Sequence, residues 1–314
     1  MRDPQKFVDE SIEKLRTEIK GTAIIACSGG VDSTTAAVLV NRAIAERLVT
    51  VFVDTGYLRK NEAGHVQNLL KDMGLNLRFV DASEEFYKAL RGVTEPERKR
   101  KIIGNMFIKV FEREAEKVKA DTLIQGTIAP DWIESGGQLR DVIKSHHNVG
   151  GLPEKMKMKL AEPLRDLYKD EVRKVARHMG LEIAEKQPFP GPGLAVRVLG
   201  DPTKERTAIL REACAIVEEE IEHAASQGEC ELPWQYFAVL LPVKSVGVRG
   251  DVRAYGETVV VRAVQSLDGM TASASPLPFS LLERISVRIT NSLLDVVRVA
   301  YDISHKPPGT IEWE

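Results

Sequence analysis

The sequence has 314 residues, with 44 Lys and Arg against 46 Asp and Glu and a formal net charge of −2. That length holds one large or two ordinary domains, and 43% hydrophobic with 29% charged residues excludes a disordered chain. The near-neutral balance removes any general pull toward nucleic acid or an anionic membrane.

The three cysteines, Cys27, Cys214 and Cys230, lie far apart with no Cys-x-x-Cys, which argues against a disulfide framework, a zinc ribbon or a redox motif. No signal peptide or spanning run is visible, so a cytoplasmic protein is expected. Pro4 to Lys20 predicts an amphipathic helix, with Val8, Ile12, Leu15 and Ile19 at helical spacing. Thr22 to Cys27 is an apolar, β-branched run that predicts a buried strand, and Thr34 to Ala45 predicts a helix. Between them stands Ser28-Gly29-Gly30-Val31-Asp32-Ser33. Two glycines let the backbone turn tightly and approach a ligand, and the open N–H groups of a helix start favour an anion. Ser28 and Ser33 add hydroxyls, so the stretch reads as a phosphate cradle. It is not a Walker A loop, because no Gly-Lys-Ser/Thr occurs.

Leu48 to Val53 predicts a second strand, Asn61 to Met73 a helix stopped by Gly74, and Leu75 to Val80 a third strand. A charged helix is expected from about Glu95 to Lys119, then a fourth strand from Asp121 to Gln125, closed by Gly126-Thr127. Its run Arg98 to Lys101, like Lys155, Lys157 and Lys159, suits a solvated face. The alternation predicts an α/β fold with a parallel, doubly wound sheet. Ligands of such sheets bind beyond the carboxyl ends of the strands, so the turns after Cys27, Val53, Val80 and Gln125 should surround one crevice. Phe52-Val53-Asp54 would offer backbone groups and apolar surface to a base.

Residues 128–158 lack a clear period and hold Asp131, Glu134, Lys144, His146 and His147 between glycine pairs. A long loop of this kind is expected to act as a lid. Adjacent histidines without a third ligand at metal spacing suit hydrogen bonding in the lid better than zinc. Pro163 to Gly180 predicts an amphipathic helix, and Gln187 to Gly193, rich in Pro and Gly, a stiff connection between domains. Beyond it come a helix from about Lys204 to His223, strands at Ala238 to Leu241, Arg249 to Arg253 and Thr258 to Ser266, a helix over Pro278 to Leu293 and a strand over Val297 to Asp302. This order suggests a small α+β domain.

The Ser28 to Ser33 stretch resembles the PP-loop of the ATP pyrophosphatase superfamily, with its adenine nucleotide alpha hydrolase-like fold. The resemblance implies that Ser28, Gly30, Asp32 and Ser33 face the β and γ phosphates of ATP, with Asp32 close to Mg²⁺. Gly29, Val31, Thr34, Val53 and Gly126 complete the implied nucleotide site. Further stretches narrow the family: Gln125-Gly126-Thr127 with Pro130-Asp131 and Ile133-Glu134-Ser135; Lys144 to Pro153; Pro163 to Arg173; Pro188 to Leu194; and Lys306-Pro307-Pro308 with Thr310 to Glu314. Together they look like GMP synthase, over nearly the whole chain. The resemblance implies a domain 1–187 with a lid at about 128–158, and a dimerisation and XMP-binding domain 188–314. It implies that XMP attacks ATP, that pyrophosphate leaves, and that ammonia displaces AMP from adenylyl-XMP.

Within that reaction, Lys144 is the expected cation at the reacting phosphates, and Asp131 and Glu134 hold the metal or orient the lid. Lys306, Pro307, Thr310, Ile311 and Glu312 resemble the XMP site; a lysine suits a monophosphate and a carboxylate the N–H edge of a purine. No cysteine reads as a glutaminase nucleophile, and the chain begins one helix before the loop. Ammonia is therefore expected from a separate amidotransferase subunit. Ala129 and Gly309 depart from residues frequent in the family and disturb neither fold nor reaction. A tRNA-thiolating relative would need catalytic or zinc-binding cysteines that are missing here; a non-catalytic nucleotide sensor would bind ATP without releasing pyrophosphate.

Overall fold

A computed structural model describes residues 3–129, 158–181, 187–267 and 269–314. Its helices are α1 Pro4–Glu18, α2 Val31–Ile44, α3 Glu62–Asp72, α4 Ser83–Leu90, α5 Pro96–Val118, α6 Lys169–His178, α7 Lys204–Ser226 and α8 Phe279–Ser292. Its strands are β1 Ala23–Ala26, β2 Leu48–Asp54, β3 Leu77–Asp81, β4 Thr122–Ile124, β5 Lys159–Ala161, β6 Gln235–Arg249, β7 Val252–Gln265, β8 Ser273–Ala274 and β9 Val296–Asp302. The chain divides into two compact units. One comprises 1–55, 61–82 and 104–185, the other 56–60, 83–103 and 186–314.

In the first unit five strands form one sheet in the order β3-β2-β1-β4-β5, and every neighbouring pair is parallel. Residues 23–25 and 48–53 are buried throughout, the pattern of strands covered on both faces. The order reverses between β1 and β4, which is where an open α/β sheet offers a ligand crevice. Helix α1 starts as its sequence dictates: Asp3 accepts from the Gln5 N–H at 3.0 Å ahead of Pro4. Helix α6 begins at Lys169, later than the periodicity suggests. Residues 163–166 form a turn closed by Leu167 N–H to Leu164 O at 2.9 Å, and Glu171 reaches back to accept from the Tyr168 N–H at 3.0 Å.

The second unit is built on β6 and β7, an antiparallel pair in register from Gln235↔Val264 to Arg249↔Val252. Strands β8 and β9 also pair with β7. The separate strand expected at Arg249 to Arg253 is instead the turn of this long hairpin, where Gly250 holds φ +55°. Residues Phe237 to Leu240 and Val259 to Val264 are buried against α7 and α8 as core. The hairpin's outer half bends away over paired glycines: a Cβ on Gly247 would lie 2.9 Å from Val297 Cβ, and one on Gly256 2.5 Å from Asp295 O. That close approach requires glycine and covers one face of the ribbon. The other face leaves Val246, Val248 and Tyr255 exposed.

Candidate active site

The phosphate cradle follows from one strand ending and one helix beginning. Cys27 still pairs with the sheet, its N–H donating to Val51 O at 2.9 Å. The chain then turns through Gly29 at φ +78°, where a Cβ would lie 2.7 Å from Val66 Cγ2. Gly30 is the N-cap of α2 and has no side chain to cap with. The N–H groups of the first turn, on Val31, Asp32 and Ser33, are left for an incoming anion. The two serine hydroxyls hold the loop from within: Ser28 Oγ lies 3.2 Å from Ser33 Oγ, which also accepts from the Ser28 N–H at 3.3 Å. Thr34 is fully buried, its N–H bonded to Gly30 O at 3.1 Å and its Oγ1 3.5 Å from Cys27 Sγ. It therefore supports the cradle from beneath. Gly126 serves as a spacer, since a Cβ there would meet the backbone N and Cα of Ser33 at 3.3 Å.

Asp32 is the charged member of the loop. Its Oδ2 pairs with Lys169 Nζ at 2.5 Å, and its buried Oδ1 accepts no hydrogen bond among the described residues. A carboxylate oxygen left open beside a phosphate cradle fits a hard cation shared with phosphate oxygens. Among the described residues no group of three or more His, Cys, Asp or Glu could hold a metal on its own, as expected for Mg²⁺ that relies on substrate phosphates for ligands. Lys169, at the first turn of α6, is a site residue that periodicity could not reveal. Only the tertiary fold brings it to Asp32, 137 positions away.

At β2 the ladder with β1 ends at Ala26↔Val51. Val51 O faces β1, whereas Thr50 N–H and Asp54 O face β3, bonded to Asn76 O and the Ala82 N–H. By alternation, Val53 turns its N–H and C=O past the end of β1. Its apolar side chain is buried.

The C-terminal segment is a packed structure and not a frayed tail. Lys306 exchanges backbone hydrogen bonds with Ala272 at 2.8 and 3.0 Å, and its Nζ donates to Gly269 O at 2.7 Å. The peptide bonds on both sides of Pro307 are cis. Thr310 Oγ1 donates to Glu312 O, and Ile311 is half-buried. Trp313 Nε1–H donates to Asp302 at 3.0 Å. Glu312 receives Arg197 in a two-pronged pair at 2.8 and 2.9 Å and Gln235 at 3.1 Å. The basic run at 98–101 is only partly a solvated face, because Lys99 is fully buried and pairs with Glu314.

Asp131, Glu134 and Lys144, with the rest of the expected lid apart from residues 128, 129 and 158, lie outside the described residues, as do His146 and His147. The cysteines carry no sign of activation. Burial pushes the Cys214 thiol up to about 11, and burial with the Glu229 charge raises that of Cys230.

A glycine-rich loop at the switch point of a parallel sheet, without a Walker lysine, defines a PP-loop nucleotide-binding fold joined to a second sheet domain. Family models agree with the two halves: NAD synthase matches residues 1–114 and GMP synthase C terminal domain matches residues 219–313. The glutamine-hydrolyzing GMP synthase subunit of this length from Thermococcus kodakarensis is 60% identical over 314 residues, 99% of each chain. The proteins of the same description from Methanopyrus kandleri and Pyrococcus horikoshii are 59% and 58% identical, over 100% and 98% of this chain and 100% and 99% of theirs. The chain belongs to the same family of glutamine-hydrolyzing GMP synthase subunits. No helix among the described residues is long and apolar enough to cross a membrane.

Proposed function

We propose that this chain is the synthetase subunit of a two-subunit GMP synthase, acting in the cytoplasm. It converts XMP, ATP and ammonia to GMP, AMP and pyrophosphate through adenylyl-XMP, with the ammonia delivered by a separate glutamine amidotransferase subunit. The observation that carries this reading is full-length identity of 55–60% to relatives of that description, on a chain whose cradle has the open first-turn donors that a triphosphate needs.

In this reading Ser28, Gly29, Gly30, Val31, Asp32 and Ser33 surround the β and γ phosphates, with Thr34 beneath. The backbone of Val53 pairs with the adenine. Asp32, with phosphate oxygens, would hold Mg²⁺, which offsets charge on the leaving pyrophosphate when bound. Lys169 stands ready beside Asp32 and shifts its ammonium toward the phosphates as they arrive. Lys144, Asp131 and Glu134 act from the lid, Lys144 as the cation at the reacting phosphate. Charge on the leaving group is thus met by preorganised donors, the dominant requirement of this chemistry. Lys306 takes the XMP monophosphate, Pro307, Thr310 and Ile311 shape its pocket, and Glu312 accepts from the purine N–H edge.

Residues 1–187 and 188–314 are the proposed ATP and XMP domains. The chain works as a homodimer through the second of these, by the exposed ribbon face of Val246, Val248 and Tyr255, an apolar patch of the kind that marks an interface.

The test is product analysis. With ATP, Mg²⁺, XMP and ammonium, the purified chain should release AMP, pyrophosphate and GMP, with AMP release dependent on XMP. ADP and phosphate as products, or AMP release indifferent to XMP, would remove the reading.

A further inference from the structure

Three fully buried cations, Lys99, Arg197 and Arg262, all hold one stretch of chain, residues 302–314. Arg262 on β7 donates to Ser304 O at 2.6 Å and Thr310 O at 3.0 Å and pairs with Asp302 at 3.2 Å. Arg197 follows the 3₁₀ turn Gly193–Val196 and grips Glu312 with both prongs. Its guanidinium carbon lies 3.9 Å from the ring centroid of Phe237 and 5.2 Å from that of Phe189. Lys99 on α5 spends its donors on Ala195 O at 3.2 Å, Val198 O at 2.8 Å and the Glu314 carboxylate. Glu314 is held further by the Gly200 N–H at 3.3 Å and by Arg100 on its backbone carbonyl.

Buried ion pairs of this sort are a poor source of stability, since well-packed apolar residues serve as well or better. What they supply is a fixed position. A guanidinium wedged among aromatic rings fixes the plane of the carboxylate it grips. Lys99 ties down the end of the segment two residues further on. Glu312 is thereby oriented before any ligand arrives, and its uncommitted lone pairs have one direction.

We propose that Arg197 and Lys99 are positioning residues for the substrate nucleotide, holding Glu312 at the angle that receives the N–H edge of the purine. The proposal rests on the reading that Glu312 meets that base. Neither cation touches the substrate.

Steady-state kinetics of Arg197→Lys, Lys99→Gln, Glu312→Gln and the doubles Arg197→Lys/Glu312→Gln and Lys99→Gln/Glu312→Gln test it. Lysine keeps the buried charge but loses the two-pronged geometry. Glutamine at 99 keeps donors for Ala195 and Val198 but loses the charge opposite Glu314. Both cation variants should raise the XMP KM about tenfold or more, the loss of roughly one charge-assisted hydrogen bond. The ATP KM should stay within about twofold, because the cradle loses no interaction. Each double should be no worse than Glu312→Gln alone, because the cations act through that carboxylate. If Glu312→Gln raises the XMP KM while the cation variants leave it unchanged, or if the doubles are additive, the positioning role is wrong and the substrate reading stands. If Glu312→Gln itself leaves the XMP KM unchanged, the substrate reading of the segment falls and the inference with it. Should Lys99→Gln fail to fold, Arg197→Lys decides the Arg197 claim and Glu314→Gln, which leaves Lys99 in place, decides the Lys99 claim by the same KM comparison.

Discussion

Gly29 combines a left-handed backbone with Val66 pressed against the place where a Cβ would stand. Gly29→Ala should cost about 1–3 kcal/mol in stability, by strain and displacement together, and should abolish pyrophosphate release. A thermal melt alongside the assay checks this; an unshifted melt with full activity would mean that the turn tolerates a side chain. Asp32→Asn is the complementary change. It should fold normally, since a half-exposed ion pair with Lys169 contributes little to stability, yet lose pyrophosphate release, because the cradle loses the charge that would hold Mg²⁺. Wild-type rates would take Asp32 out of the mechanism.

Asp302 gives a pH prediction. Burial pushes its carboxyl up, but hydrogen bonds from Ser304 and Trp313 and the Arg262 charge outweigh it, so the folded pKa lies below the usual value. A depressed carboxylate contributes stability that is present above the unfolded value, about 3.9, and is lost as pH falls through the folded one. The C-terminal segment should therefore loosen on acidification below about pH 4, and Asp302→Asn should be loosened already at neutral pH. Trp313 fluorescence, with Trp132 and Trp234 replaced by Phe, reports it; a signal flat with pH and insensitive to Asp302→Asn would refute the claim.

Among elements, the α/β alternation was legible because buried parallel strands are continuous apolar runs, and Ala23–Ala26 and Leu48–Asp54 stand out as such. The turn at Gly250 was not, since Val248 and Val252 on either side of it carry the β-branched residues of a strand. Helix α4 and strand β5 were missed for their shortness. The cradle itself was legible, because its chemistry is local to six residues. Lys169, Arg197 and Lys99 were not, because their partners lie 137, 115 and 215 positions away, and nothing in a one-dimensional pattern marks a lysine that will be buried. The ribbon also corrects the place of the proposed dimer contact. The apolar strands at Phe237 to Leu241 and Val259 to Val264 are spent on the monomer's own core, so the exposed face must serve. Val246→Lys with Tyr255→Lys should convert the dimer to monomers in sedimentation at micromolar concentration. An unchanged dimer would move the contact elsewhere.

At the scale of the whole molecule, the chain visits the second unit twice before entering it for good, at 56–60 and 83–103. The first visit follows the end of β2 directly, and the second carries Lys99. A reading by chain segments could divide the sequence at the Pro-Gly stretch, but could not see that earlier loops belong with the later domain. What the molecule as a whole must do is join two nucleotides with ammonia and leave glutamine to another subunit. Glutamine hydrolysis requires an activated nucleophile, and Cys214 and Cys230 have raised pKa values while Cys27 is buried under the cradle. The most direct measurement is GMP formation from XMP and ATP by the purified chain with either ammonium or glutamine as the sole nitrogen source, before and after addition of the amidotransferase subunit. GMP should form with ammonium at once and with glutamine only after the subunit is added; glutamine-dependent GMP from the chain alone, at a rate close to that with ammonium, would contradict it.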